Sequence, residues 1–545
     1  MAGQTELRRR RPGAESESSR TEPDVPMEKE STSDKGESKQ PASAPSSFKA
    51  LTVCAGPRKE ERLLSWQLVL LLSVGVALRV LLYSVGLTLP ESTEPLVSPS
   101  SSSFSSFREA LTLQALSFSP YTGGVYRQQP LIFLALQWLT RAGQGEDENC
   151  DTSGCQWRYY IVLICIDLVA ALALAAAAAE AHKWAVNFRR RGAEGSAPQP
   201  RTEEAESKQE LPSKESLAER RRSEDSEAVI APPALVAANY FLHPMTVGAI
   251  LSLTIHTLPL ACFALALACA TRAGRCSRCL CVIFFGCTIY VGPPQALLLA
   301  LPLAHLMHAV RTQTVQRPDL LEVLPSPKED ILPGVLRGLL ILVAGVAFCA
   351  SLHVASYLAL RIYTPDAADY FDSTVVALWE VRDLGPNLGI FWYILSLIFE
   401  RYRLLFVMIF QGHSFILVVP LFVRMFRYPL AYCQVIIAIA LLFQPFFCIA
   451  DSAFLLTLLI TRWQVVKQKA AFVKMVVVTV VAASIYPVVT ELWLGRNTGN
   501  PNFVYNIQTI FHIFVGFLVV EWIKGVILDK LFTSSQPAEQ RAKTA

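Results

Sequence analysis

The sequence predicts an all-α polytopic membrane protein with about twelve transmembrane helices, on three observations. Apolar residues make up 52% of the 545-residue chain and charged residues only 17%. The charges cluster rather than disperse. The apolar residues come in blocks of roughly 17–25, the length that crosses a bilayer core. A soluble chain of this length would instead divide into several domains of ordinary polarity. The formal charge of +4 says little about partners, because its placement matters more than its sum.

Residues 1–60 lack the aromatic and branched residues that offset ordering entropy, and are expected to be a disordered tail with no cleavable signal peptide. A multi-span domain over 61–530 follows, interrupted by a second polar, disordered insertion at 187–227 and trailed by a tail at 531–545. The candidate spans are 64–86, 157–181, 229–245, 248–270, 277–292, 295–310, 335–359, 403–424, 429–447, 450–463, 471–494 and 503–524. Some are broken by proline, as in "APPALVAANYFLHPM" and "YVGPPQALLLALP". Such breaks are tolerated where neighbouring helices satisfy the freed backbone groups.

Basic residues orient the chain. Arg58, Lys59 and Arg62 precede the first span; Arg189, Arg190 and Arg191 follow the second; Arg272, Arg275 and Arg278 follow the fourth. Arg424, Arg427, Arg462, Lys467, Lys469, Lys474, Lys524 and Lys530 fall on the same side. That side is expected to be the cytosol, with both termini and the 187–227 insertion there. Two long loops, 87–156 and 360–402, and a short one, 495–502, then face the endoplasmic reticulum lumen or the exterior. The parity requires that "QPLIFLALQWLT" at 129–140 does not span; at this length it reads as an interfacial or re-entrant helix.

Most of the 13 cysteines lie inside apolar runs, where a thiol behaves as a small hydrophobe. Cys150 and Cys155 in "ENCDTSGCQW" would lie in an oxidising compartment, where they either pair or stay as two free thiols. Cys276, Cys279 and Cys281 in "GRCSRCLC" have no second Cys or His pair nearby, so a zinc site is not expected. They read as membrane-adjacent cytosolic thiols, of the kind that are palmitoylated.

The first loop holds "SFSPYTGGVYRQQPLI" after an apolar span, and an aromatic-rich loop in that place resembles the C-type glycosyltransferases. Such enzymes carry an Asp or Glu early in this loop, because the acceptor hydroxyl needs a base. This chain has Glu91, Glu94 and Glu109 there, but no Asp and no paired carboxylates, and Glu109 reads as part of a solvated helix face. No Ser–His–Asp set, Gly-rich phosphate loop or HExxH pattern stands in the loops. Cys349 and His353 are one turn apart, but inside a helix, where a polar residue bonded to a neighbouring helix is the expectation. Asp167 in "LICIDLVAAL" is a buried ionisable group that calls for a partner on another helix.

The second loop ends in "PNLGIFWYILSLIFERYR", a turn followed by aromatics and then charges. It reads either as an interfacial anchor or as a wall for a lipid headgroup, with Asn387, Trp392 and Glu400 as its contacts and Tyr121 added from the first loop. The third loop, "LWLGRNTGNPNFVYN", offers asparagine amides that can bind glycan hydroxyls or phosphate, or simply make turns.

Taken together, "SPYTGG" at 119–124, "PLI" at 130–132, "PNLGIFWYILSLIFE" at 386–400 and "YPVVTELWLGRNTGNPNFVYN" at 486–506 resemble the U subunit of the glycosylphosphatidylinositol (GPI) transamidase. Val97-Ser98-Pro99 belongs to the same pattern, and the order holds across 64–530. Two positions depart from it. His243 stands where the family has Asn in "LNP", and Leu397 replaces an acidic residue.

The resemblance implies a non-catalytic subunit of a complex in the endoplasmic reticulum membrane, with a fold like that of the C-type mannosyltransferases. The complex cleaves a C-terminal signal from a proprotein and joins the new carboxyl end to the ethanolamine of GPI, and a caspase-like cysteine protease subunit does the chemistry. The implied partners are those subunits, the GPI glycolipid, membrane lipids and the proprotein signal. No cofactor, metal or nucleic acid is implied. Asn500 and Asn502 match the family positions that contact the glycolipid. The rival is a GPI mannosyltransferase using a dolichol-phosphate-linked sugar, which needs a carboxylate pair before the "SPY" motif. A transporter would instead show an internal repeat.

Overall fold

The computed structural model describes residues 59–87, 99–141, 153–195, 231–315, 327–363, 369–462 and 470–535. All described residues lie in the unit that begins at Pro57. The described elements are helices and turns, with one isolated bridge, Ser103 to Thr254. This is the all-α polytopic architecture the composition predicts.

The first loop follows α1 (Lys59–Ser84) and carries two helices, α2 (Phe104–Ala115) and α3 (Pro130–Arg141). Next come α4 (Ser153–Gly195), α5 (Pro233–Phe241), α6 (Pro244–Leu251), α7 (Thr257–Ala270) and α8 (Arg275–Val291). Then follow α9 (Ala300–Val315), α10 (Pro327–Arg361), α11 (Phe391–Leu397), α12 (Glu400–Ile416) and α13 (Val418–Arg424). The set closes with α14 (Pro429–Leu442), α15 (Ile449–Ile460), α16 (Ala470–Thr490) and α17 (Pro501–Ser535).

Among the described residues, six helical stretches are long and apolar enough to cross a membrane: Trp66–Ser84, Gly154–Lys183, Ile331–Arg361, Glu400–Arg424, Ala471–Gly495 and Pro501–Ile527. The α5–α6 pair, bent by 45°, makes a seventh if it counts as one span, and α7, α14 and α15 are apolar but shorter. The expected number of twelve is therefore not fixed by these helices. The expected spans 229–245 and 248–270 are cut differently, into α5, α6 and α7. Pro244 has no N–H to continue α5, so the chain restarts there. His243 caps the restart, its Nδ1 accepting from the Met245 N–H at 3.2 Å, so the imidazole does the capping that an asparagine would do. Leu253, at φ +55°, then turns the chain before α7.

Two helices reach into the stretches expected to be polar segments. α4 runs on to Gly195, inside the stretch expected to be disordered from 187, because "HKWAVNFRRRGAEG" has no proline and α4 is already nucleated by its packed half. α17 likewise passes 530 to reach Ser535. Residues 1–58 and 196–230 lie outside the described residues.

The central core forms where α4 packs on α7, and α7 on α8. The alanine run of α4 buries Ala170, Ala171, Ala177 and Ala178, and such small residues let backbones approach closely. α8 and α10 also pack closely. A Cβ at Gly286 would lie 2.6 Å from the Phe348 ring, and one at Gly345 would lie 2.5 Å from the Phe285 ring. Gly286→Val is therefore expected to destabilise the bundle by about 1–3 kcal/mol through overpacking. A lowered melting temperature in detergent checks this; an unchanged one means the crossing has slack. The opposite flank of α10 exposes Leu332, Leu336, Leu340 and Val343, the surface a lipid-facing helix presents.

Candidate functional site

The three loops expected on one side of the membrane meet one another. Tyr121 of the first loop lies 6.2 Å from the Tyr370 ring of the second, and the second and third loops are joined by hydrogen bonds described next.

The second loop is locked by its own turn. Asn387 Oδ1 accepts from the Gly389 N–H at 2.7 Å, while its Nδ2 donates to the Gly385 and Pro445 carbonyls at 3.2 and 3.4 Å. Leu388 N–H donates to the Phe447 carbonyl at 2.9 Å, tying the turn to the segment before α15. A Cβ at Gly389 would lie 2.8 Å from Asn387 Oδ1, so the turn leaves no room for a side chain there. The turn aims α11 across α17. Trp392 Nε1 donates to Gln508 Oε1 at 3.0 Å, and Gln508 Nε2 donates to the Gly389 carbonyl at 2.7 Å. Both ends of a fully buried glutamine are thus satisfied by the "PNLGIFW" segment.

The third loop is shaped by backbone geometry. A π-helical turn, Glu491–Gly495, ends α16, and Asn497 takes φ +51°, a conformation Asn tolerates well. The Thr498 and Gly499 N–H groups both donate to the Leu492 carbonyl at 2.9 Å. Asn500 then starts α17, with its Oδ1 accepting from the Asn502 N–H at 2.9 Å and Pro501 in the first helical position.

These two loops build one wall. The Trp392 and Trp493 rings stack at 6.2 Å, and Tyr393 meets Tyr505 at 4.5 Å. The Tyr393 hydroxyl donates to Asn502 Oδ1. Asn500 and Asn502 are exposed at its rim, beside exposed Arg496. Each amide keeps an Nδ2 with no hydrogen-bond partner among the described residues. The rim is therefore rich in donors, suited to phosphate oxygens or glycan hydroxyls, over an aromatic body suited to acyl chains and sugar rings.

The other expected contacts fall elsewhere. Asn387 and Trp392 are buried within the wall, where they shape it. Glu400 projects from the start of α12, its side chain 88% exposed and 3.8 Å from Arg403, and Leu397 is exposed at the end of α11. Tyr121 belongs to a separate cluster with Phe107, Tyr126, Phe133 and Tyr159. Its hydroxyl donates to the Gln128 carbonyl at 2.9 Å, and burial holds its phenol well above the ordinary pKa. Glu109 lies on the exposed face of α2, covering Gly123, where a Cβ would lie 2.5 Å from its carboxylate. Glu91 and Glu94 lie outside the described residues, as does Cys150; Cys155 is buried and disulfide-bonded.

Two polar clusters bring together residues whose partners the sequence does not name. Asp167 finds its partner in Arg79 of α1, Nη2 to Oδ2 at 2.5 Å, both fully buried. A lone arginine in the apolar run of α1 was the available signal. The second cluster holds His256, Cys448 and Asp451, whose ligand atoms lie within 4.8 Å of one another. An imidazole, a thiol and a carboxylate form a donor set for a divalent metal. Here Asp451 Oδ2 already accepts from Gln444 Nε2 at 2.5 Å and the Cys448 N–H at 2.8 Å, and lies 3.0 Å from His256 Nε2. Its carboxylate thus closes a capping box at the start of α15. His353, in α10, lies against Tyr370, whose hydroxyl donates to the His353 carbonyl at 2.9 Å and lies 3.4 Å from its Nδ1.

A family model described as GPI transamidase subunit PIG-U matches residues 73–511. The GPI-anchor transamidase component PIGU of Mus musculus is 26% identical over 154 residues, 28% of this chain and 36% of that protein. The human component of the same name is 24% identical over 156 residues, 29% of this chain and 36% of that protein. The GPI transamidase component GAB1 homolog of Schizosaccharomyces pombe is 25% identical over 157 residues, 27% of this chain and 36% of that protein. The aligned stretch thus spans little more than a third of the length of these relatives.

Proposed function

Because the chain belongs to the GPI transamidase subunit PIG-U family, we propose that this multi-pass membrane protein holds the GPI glycolipid for the transamidase, without catalysing the transfer itself. The observation that carries this reading is the wall joining the second and third loops, with the unpaired amide donors of Asn500 and Asn502 at its rim. The glycolipid has an acyl region, a phosphate and a glycan. The wall offers aromatic side chains for the apolar part, and its third loop carries an exposed cationic Arg496 and two amide donors for phosphate and glycan. Holding the lipid there would present its ethanolamine amine to a caspase-like protease subunit that carries the cleaved proprotein as a thioester. The proprotein signal is a second candidate ligand of the same end of the bundle.

The same reading places the protein in the endoplasmic reticulum membrane with the loops lumenal and both termini cytosolic, following the basic residues. The first loop's sequence, with no Asp and no paired carboxylates before "SPY", favours the non-catalytic role over the mannosyltransferase alternative.

The test uses Asn500→Ser with Asn502→Ala. Serine keeps the cap of α17, so the pair removes both amide donors at little cost to the helix start. Two lost hydrogen bonds predict a loss of about 1–3 kcal/mol in GPI engagement if they add. Anchoring of a reporter proprotein should fall while partner subunits still co-purify. Unchanged anchoring would reduce the asparagines to turn residues, and a joint fall of anchoring and assembly would make the loop structural.

A further inference from the structure

The "GRCSRCLC" motif is used by neither the wall nor the buried ion pair. The structure divides its three cysteines. Cys281 is buried against α7, its thiol donating to the Ala266 carbonyl at 3.4 Å. Cys276 and Cys279 are free and exposed in the first two turns of α8. Leu280 and Ile283 are exposed as well. Positions 276, 279, 280 and 283 follow the i, i+3, i+4, i+7 spacing of a single helical stripe. Two thiols therefore head a stripe that continues with the exposed aliphatic side chains of Leu280 and Ile283.

The surroundings suit this end of α8 to the water–membrane boundary, as the sequence-based span 277–292 expects. Arg272 and Arg275 are exposed and Arg278 is half-buried, all within one turn of the thiols. Cationic side chains at the end of an apolar helix sit at the headgroup level. A metal is a poor occupant: Cys276 and Cys279 supply two ligands of the four a structural zinc takes, and Cys281 points into the core.

We propose that Cys276 and Cys279 are S-acylation sites for long-chain fatty acyl groups donated by acyl-coenzyme A. The cysteine sulfur bonds to the acyl carbonyl carbon, the carbonyl's bond to the coenzyme A sulfur breaks, and the cysteine proton passes to the departing thiolate. One thioester replaces another, with no change of oxidation state. The attached chains would run along Leu280 and Ile283 into the bilayer and pin the boundary of α8. The proposal rests on the cytosolic placement of Arg272, Arg275 and Arg278 given above.

The experiment uses the full chain expressed in cells. Free thiols are blocked with N-ethylmaleimide, thioesters are cleaved with hydroxylamine, and the released thiols are coupled to polyethylene-glycol maleimide. The wild type should show a two-step, hydroxylamine-dependent gel shift. Cys276→Ser and Cys279→Ser should each lose one step, and the double variant both. Cys281→Ala, which alters the buried thiol, and Cys165→Ser, which alters an exposed thiol in mid-span, should match the wild type. A wild type without hydroxylamine-dependent shift, or a double variant that keeps it, overturns the proposal.

A second arm separates this from the topology. In sealed microsomes treated with hydroxylamine, an impermeant maleimide should label both cysteines from outside. Labelling only after permeabilisation defeats the cytosolic placement, and the acylation site with it. Labelling from outside without hydroxylamine leaves the placement standing and defeats acylation alone.

Discussion

Asp167→Ala is expected to destabilise the protein by about 3–5 kcal/mol, the cost of stranding a buried charge. Arg79 and Asp167 are both fully buried and bonded at 2.5 Å. Both terminal nitrogens of the guanidinium reach further partners, while its Nε is buried without one among the described residues. The guanidinium donates to the Gly75 carbonyl at 3.3 Å and to Thr246 Oγ1 at 3.5 Å, and lies 3.8 Å above the centre of the Phe241 ring. The Tyr160 hydroxyl donates to the Arg79 carbonyl at 2.8 Å. One arginine of α1 thus gathers α4, α5 and α6, and without Asp167 its charge has no counter-ion among the described residues. Arg79→Met alone should cost about as much, because it strands the carboxylate instead. Arg79→Met with Asp167→Ala should cost far less than the sum, since no charge is left to solvate. Thermal unfolding in detergent, run on all three variants, reads the coupling. A variant lacking Asp167 that melts normally yet fails to anchor a reporter would give the carboxylate a functional role and defeat the structural one.

That pair shows what the sequence could and could not say. Asp167 was legible because a carboxylate in an apolar run must be paired. Its partner was not, because pairing across 88 residues depends on which helices pack, and apolar periodicity carries no such address. The same limit governs the site. The local turn chemistry of Asn387, Gly389 and Asn500 could be read from Asn, Gly and Pro in short order. Gln508 could not, since nothing in α17 announces that it reaches Trp392 and Gly389, 116 and 119 residues away. Tyr121 and Trp392 looked alike as aromatics beside turns, yet they fall in separate clusters. Proline marked the break at 244 but not the length of each piece, because capping by His243 and the turn at Leu253 set the ends.

Trp392→Ala should cost about 3–5 kcal/mol, the range for truncating a large buried aromatic. The indole is 5% exposed and stacks on Trp493, so alanine leaves a void between α11 and the end of α16. It also frees Gln508, whose Oε1 accepts the indole N–H and whose Nε2 holds the Gly389 carbonyl. Trp392→Phe separates the two contributions. Phenylalanine keeps much of the aromatic contact but leaves the glutamine oxygen unpaired in a buried place, a cost of about 1–3 kcal/mol. Pairing Trp392→Phe with Gln508→Leu removes that unpaired oxygen, though the Gly389 carbonyl then loses its donor, so the recovery should be partial. Melting temperature in detergent should therefore rank wild type above Trp392→Phe, and Trp392→Phe above Trp392→Ala. Reporter anchoring should fall in the same order, because the wall that carries Asn502 through Tyr393 loosens with it. Should Trp392→Phe melt as low as Trp392→Ala, the hydrogen bond and not the buried area holds the wall. Should Trp392→Ala melt like the wild type while anchoring collapses, Trp392 touches the glycolipid directly and the wall stands without it.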